Sequence, residues 1–191
     1  MKVERRYAAY YCEENIWHLC REPGFEGLER RVVVISNPRR TCALWNQRAA
    51  LEPEAPVIWD YHVVLLVADQ GRWWTWDLDT LLGLPVDFEG WFLETFGAVG
   101  SLPVLYRSMF RVMEAGEYAR LLRSDREHMR GSDGAFLQPP PPWPLILGGD
   151  VSDGPSNLFR FVDMGPGWAG EVLDEAAFYG RFSRGCGSLP A

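Results

Sequence analysis

The chain has 191 residues, 47% hydrophobic and 24% charged, enough to bury a sizeable core in one domain over residues 1–191. A net charge of −7 argues against a nucleic-acid surface, which needs clustered Lys and Arg, and no apolar run approaches the roughly eighteen residues of a membrane span. The opening Met-Lys-Val-Glu-Arg-Arg lacks the apolar stretch of a signal peptide, and cysteines at 12, 20, 42 and 186 are too irregular for a disulfide framework, which points to free thiols in a reducing cytoplasm.

Residues 12–21 carry Ile16, Leu19 and Cys20 at helical spacing, with Glu13 and Glu14 in the first turn, where the helix dipole favours acids. The β-branched run 31–36 reads as a buried strand. Residues 56–68 read as one long strand, Asp69-Gln70-Gly71 as a turn, and 72–78 as an aromatic return strand. If Asp69 and Gln70 form a two-residue loop, His62 falls opposite Asp77 on the same face; a bulged turn using Gly71 alters the pairing. Beyond the hairpin, 88–96 reads as helix, 106–113 as strand and 117–123 as helix. The proline-rich stretch in 131–144 reads as an extended strap across one domain. Asp174 is placed to cap a last helix through Phe182. Helices and mostly antiparallel strands, in this order, indicate an α+β fold.

Cys12, His62 and Asp77 supply the three parts of a thiol enzyme: a nucleophile, a base, and a carboxylate to hold the base. At a helix start Cys12 gains from the dipole, but Glu13 and Glu14 oppose a thiolate, so a lowered pKa has to come mainly from His62. Each residue alone is commonplace: a small buried hydrophobe, a satisfied strand histidine, an acid near a turn. Asp77-Leu-Asp79 puts two carboxylates on one strand face as a metal pair would, but no nucleotide-binding glycine loop accompanies it. Cys12, His18 and Cys20 do not match a structural zinc spacing. His128 reads as a structural or surface group and Cys20 as core. A reading of a different class is a non-catalytic peptide-binding module using an aromatic surface of Trp59, Trp73, Trp74 and Trp76.

Several words run in a fixed order over nearly the whole chain. They are Tyr-Cys-Glu-Glu-Asn-Ile-Trp (11–17), Val-Ile-Ser-Asn (34–37), Val-Ile-Trp-Asp-Tyr-His-Val-Val-Leu-Leu (57–66) and Asp-Leu-Asp-Thr (77–80). Phe-Arg-Val (110–112), Ser-Asp-Arg-Glu-His-Met (124–129) and Pro-Pro-Pro-Pro-Trp-Pro (139–144) complete the series. On these words the chain resembles the protein N-terminal glutamine amidohydrolase family. The resemblance implies a papain/transglutaminase-like α+β fold with Cys12 as nucleophile, His62 as base and Asp77 as orienting acid. It implies no cofactor and no metal, and conversion of the N-terminal Gln of peptides or proteins to Glu through a Cys thioester with release of ammonia. The expected setting is a cytoplasmic monomer with peptide or protein substrates and no nucleic-acid or membrane partner. Other enzymes with the same triad (a protein deamidase, a protease, a transglutaminase) remain alternatives. An amidase restricted to a chain terminus has to recognise a free α-ammonium, and Glu13, Glu14 and Asp60, near the triad in sequence, are candidates for that role. Each reads equally as a first-turn or strand-edge acid.

Overall fold

Residues 32–35 and 63–67 are buried at every position. A strand takes such a pattern only when both faces of its sheet are covered. The computed structural model, which describes residue 3, residues 5–97 and residues 99–183, shows that arrangement. In chain order the elements are α1 (Cys12–Cys20), β1 (Arg30–Ser36), β2 (Cys42–Leu44), β3 (Val57–Trp59), β4 (His62–Asp69), β5 (Arg72–Trp76), β6 (Val86–Asp87) and α2 (Phe88–Phe96). They continue with β7 (Met109–Glu114), α3 (Ala115–Leu121), β8 (Arg123–Ser124), β9 (Ile146–Leu147), α4 (Leu158–Val162), β10 (Glu171–Leu173) and α5 (Glu175–Phe182). Six strands form one sheet in the order β10-β7-β1-β4-β5-β6, every pair antiparallel. The fold is mixed α+β.

The two-residue period of the strands divides the apolar residues between two cores. Val32 and Val34 of β1 and Val63 and Leu65 of β4 pack with Ile16 and Leu19 of α1, Tyr118 of α3 and Phe161 of α4. Val33, Ile35, Val64 and Leu66 face the aromatic side chains of α2 and α5, among them Phe88, Trp91, Phe92 and Phe178. Each such side chain, fully buried, contributes about 1.5–3 kcal/mol. Within the second core Phe110 and Phe178 stack with centroids 4.1 Å apart. Arg111 on β7 is buried and donates to the carbonyls of Phe161, Gly165 and Ala169, pinning the loop after α4 to the sheet. Five fixed N–H donors suit a guanidinium, and no other side chain, to this use. Asp174 accepts from Ala177 N at 2.8 Å, the expected cap of α5.

Three expectations are corrected. The long strand over 56–68 is broken at Asp60 and Tyr61, because β3 leaves the large sheet to pair with β2. Ser36 Oγ donates to the Asp60 carbonyl at 2.7 Å, and Asp60 Oδ1 accepts from Tyr61 N at 2.9 Å, which holds the bend. The hairpin loop is Gln70-Gly71, with Asp69 opposite Arg72, so the register sits two residues from the one expected. Both loop residues are left-handed (φ 51 and 74), as a type I′ turn demands. A shift of two keeps every side chain on its face, so His62 and Asp77 still meet. The strand and helix expected over 106–113 and 117–123 begin at Met109 and Ala115. Cys12, Cys20 and Cys42 are free and buried, and Cys186 lies outside the described residues. Among the described residues no helix is long and apolar enough to cross a membrane.

Candidate active site

His62 opens β4 with its imidazole fully buried, and the Trp59 ring stacks on it at 5.5 Å and 21°. Asp77 is the first residue beyond β5 and is equally buried. Its Oδ1 accepts from His62 Nε2 at 2.8 Å and from Asp79 N at 3.1 Å. Its Oδ2 accepts from Gln47 Nε2 at 3.0 Å and Trp91 Nε1 at 3.2 Å. An ionised carboxylate only accepts, so Nε2 carries the proton and, in the neutral ring, Nδ1 bears the lone pair. Nδ1 has no hydrogen-bond partner among the described residues. Burial works against an imidazolium here, but the adjacent Asp77 charge and its hydrogen bond prevail and raise the His62 pKa. Burial likewise works against the Asp77 carboxylate, and His62, Gln47 and Trp91 together hold its pKa below the usual value.

Cys12 opens α1 and packs in the core that contains Val63, the residue after His62. A backbone hydrogen bond from Val63 favours the thiolate, but burial opposes it, and so do Glu13, Asp79 and Asp60. The thiol pKa is therefore raised well above its ordinary value and the resting group is neutral. This departs from the expectation that His62 and the helix start lower it: taking the sulfur out of water dominates, and the Val63 bond does not offset it.

The acids after Cys12 are fully buried. Glu14 receives a bidentate pair from Arg126, 2.8 and 2.7 Å, and a 2.6 Å bond from Trp143 Nε1, so both its oxygens are occupied. Arg126 also donates to the carbonyls of Pro141 and Trp143, tying α1 to the proline strap. Glu13 accepts from Tyr61 OH at 3.0 Å, and its other oxygen lies 3.4 Å from His128 Nε2. Burial opposes a charge on His128, but Glu13 raises its pKa on balance. Asp60 is exposed at the bend between β3 and β4. Asn15 clamps residues 7–10 over the head of α1, accepting from Ala8 N at 2.8 Å and donating to Ala8 O at 2.9 Å.

His62, Asp77 and Asp79 offer ligand atoms within 4.8 Å of one another, close enough to hold a cation. Asp77 has both oxygens committed to four donors and His62 Nε2 is committed to Asp77, so the arrangement suits an acid–base pair better than a metal. A larger cleft, about 590 Å³, lies at the hairpin tip around Gln70, Trp74 and Pro85 and contains none of these groups.

The model of the N-terminal glutamine amidase family matches residues 7–182. The chain belongs to this family. It is 39% identical over 188 residues to the human protein N-terminal glutamine amidohydrolase, covering 94% of this chain and 89% of the relative. It is 37% identical over 185 residues to the zebrafish protein of that name, covering 92% and 88%. With the Caenorhabditis elegans protein of that name the identity is 33% over 188 residues, covering 95% and 97%.

Of the residues singled out in the sequence, the structure joins His62 to Asp77 directly and seats Cys12 against the strand that carries His62. Glu13 lies beside the thiol, with Oε2 3.9 Å from Sγ. Glu14 is spent on Arg126. Cys20 is core, and His128 is half-buried with its imidazole against Glu13. The proposed aromatic surface is largely internal: Trp76 is buried, Trp73 packs on Phe182 and Trp59 covers His62. Sequence reasoning missed Gln47 and Trp91, which hold Asp77, and Arg126, whose pairing with Glu14 was hinted at only by the company it keeps in a family word.

Proposed function

We propose that this chain, acting as one papain/transglutaminase-like domain over residues 1–191, converts the N-terminal Gln of peptides and proteins to Glu and releases ammonia. The observation that carries the reading is the buried His62–Asp77 pair, with Nδ1 unengaged beside the strand that seats Cys12, in a chain of this family. Cys12 Sγ attacks the side-chain amide carbon while its proton passes to His62 Nδ1, so the neutral resting thiol is charged only as it reacts. The Cys12 N–H, at the head of α1 with no intrahelical acceptor, is a donor for the developing oxyanion. His62 returns the proton to nitrogen as the C–N bond breaks and ammonia leaves. Water, deprotonated by His62, then hydrolyses the thioester to Glu. Asp77 keeps Nε2 protonated and the ring oriented throughout. No step calls for a cofactor, and the expected setting is a cytoplasmic monomer.

A peptide library varied only at its first residue tests this by ammonia release. Gln-initiated peptides should be turned over, and N-terminal Asn and an internal Gln should react poorly. A folded Cys12→Ala protein should release none. Release by that variant, or equal release from terminal and internal Gln, would refute the assignment.

A further inference from the structure

Asp79 is a buried carboxylate, 4% exposed, that the chemistry above leaves unused. Tyr7 OH donates to its Oδ1 at 2.6 Å, and Oδ2 accepts no hydrogen bond among the described residues. It lines a cleft of about 80 Å³ whose walls include Tyr7, Ala9, Tyr10 and Trp59. Trp59 is the ring that covers His62, and the Asp79 carboxylate lies within 4.8 Å of the His62 and Asp77 ligand atoms. The cleft therefore adjoins the reacting groups. Burial raises the Asp79 pKa, His62, Tyr7 and Arg48 oppose the rise, and the neighbouring Asp77 adds to it. A half-satisfied buried carboxylate among aromatic rings favours a cation on both counts, by charge pairing and by the ring faces. The protein's nearby cation does not fill the role: Arg48 is exposed at the rim, its backbone N–H bonds to the Asp79 carbonyl at 2.7 Å, and no ion pair joins it to the carboxylate among the described residues.

We propose that Asp79 holds the α-ammonium of the substrate's first residue; this rests on the N-terminal amidase reading and names the group that makes it N-terminal. In extended glutamine about 5 Å separates the α-nitrogen from the amide carbon by standard bond lengths, so an ammonium seated on Asp79 sets that carbon one side chain away. Asparagine is shorter by roughly 1.2 Å and falls short of the sulfur. An internal Gln has an uncharged amide nitrogen, and its preceding residue has to enter a cleft walled by residues 7–10, which Asn15 clamps. Tyr10 in that wall takes a left-handed backbone (φ 68), a conformation held only where surrounding contacts impose it. The anchor also couples binding to chemistry. Asp79 is one of the charges that keep the Cys12 thiol protonated, and a bound ammonium cancels it.

The test compares kcat/KM for a Gln-initiated peptide with that for the same peptide lacking only the α-amino group, in wild type and in Asp79→Asn. Wild type should prefer the amine by roughly 10- to 100-fold, and Asp79→Asn should bring the ratio within about threefold of unity. Alkylation of Cys12 by iodoacetamide at no less than the wild-type rate shows that the variant's site is intact. Such a variant that keeps the full preference overturns the anchor, as does a wild type that turns over both peptides equally. A wild type inactive on every Gln-initiated peptide instead overturns the reading on which the anchor rests. If Asp79→Asn folds poorly, the pH dependence of the wild type decides the matter. As acid protonates Asp79, KM for the Gln peptide should rise while the inhibition constant of the des-amino analogue stays level. Of the titratable and charged groups facing Asp79 (Tyr7, Tyr10, His62, Asp77 and Arg48), Asp77 is held down by His62, Gln47 and Trp91, while burial drives Asp79 up. Asp79 is therefore the carboxylate that protonates first as pH falls, and parallel profiles for the two ligands overturn the proposal.

Discussion

Replacing Asp77 by Asn changes one atom and removes one charge, and the surroundings determine the cost. The carboxylate takes four hydrogen bonds from four donors: His62 Nε2, Asp79 N, Gln47 Nε2 and Trp91 Nε1. An Asn amide offers one oxygen. If that oxygen stays toward His62, the new NH₂ faces Gln47 and Trp91. Gln47 can turn its amide and present Oε1, which has no partner at present, but the Trp91 N–H is left without an acceptor. If the oxygen turns away, the NH₂ faces His62, and the ring has to present a bare Nε2 and place its proton on Nδ1, where it can no longer serve as a base. One stranded buried donor and the loss of charge-assisted bonds cost about 2–4 kcal/mol of stability. For a chain of this length that lowers Tm by roughly 4–16 °C. The kcat should fall by about 10²–10⁴-fold, the upper figure being the known effect of the same change in a serine-protease triad, with KM little changed. Coupled ammonia release from a Gln-initiated peptide and a thermal melt measure both. A folded Asp77→Asn protein with kcat within about threefold of wild type, or a loss confined to KM, would refute the role given to Asp77.

Arg126→Met leaves Glu14 charged, buried and bonded only to Trp143; it should cost about 3–5 kcal/mol by urea unfolding, much of it recovered when Glu14→Leu is added. Equal losses in the single and double variants would show that the pair itself does not brace α1. Stability should also depend on pH through the dyad. His62, with its folded pKa raised, stabilises fully below about pH 6.5, and that contribution drains away as pH climbs through the folded value; Asp77, with its pKa lowered, contributes above about pH 3.8 and loses the contribution in acid. His128 is raised as well and acts in the same sense as His62. The unfolding free energy of wild type minus that of His62→Gln should therefore shrink from pH 6 towards pH 9. A difference that grows over that range would contradict the raised imidazole pKa.

The parts of the fold that could be read from the sequence are those whose cause is local. Helix α2 spans the residues its apolar pattern predicts, and Asp174 caps α5 because the capping bond reaches only three residues. The β-branched runs announce β1 and β4 because both sheet faces are covered and every position is apolar. The break at Asp60 is not readable, since it is held by Ser36, 24 residues away. Giving Asp69 a turn position misplaces the hairpin loop. Position 71 admits glycine readily in the left-handed region and makes Gln70-Gly71 the loop. The difference is harmless to the site because strand faces repeat every two residues.

The same distinction governs the site. His62 opens one strand of the hairpin and Asp77 directly follows the other, so their meeting needs no information beyond that hairpin. Glu14 meets Arg126 across 112 residues and Asp77 meets Gln47 across 30, and nothing in the local spacing of either acid points to its partner. The first-turn position of Glu13 and Glu14 suggests solvated acids stabilising a helix. Instead each is buried because a distant side chain (Tyr61, His128, Arg126 or Trp143) comes to meet it, and the composition of the 124–129 and 139–144 words is the one signal of this in the sequence. The thiol's pKa departs from expectation for the same reason. The dipole and the adjacent acids belong to the local sequence, whereas the burial that dominates belongs to the assembled sheet and its helices. Chemistry that needs neighbours is therefore legible from the start, and the anchor proposed for the α-ammonium, Asp79 in a cleft walled by the N-terminal segment and Trp59, emerges only from the fold.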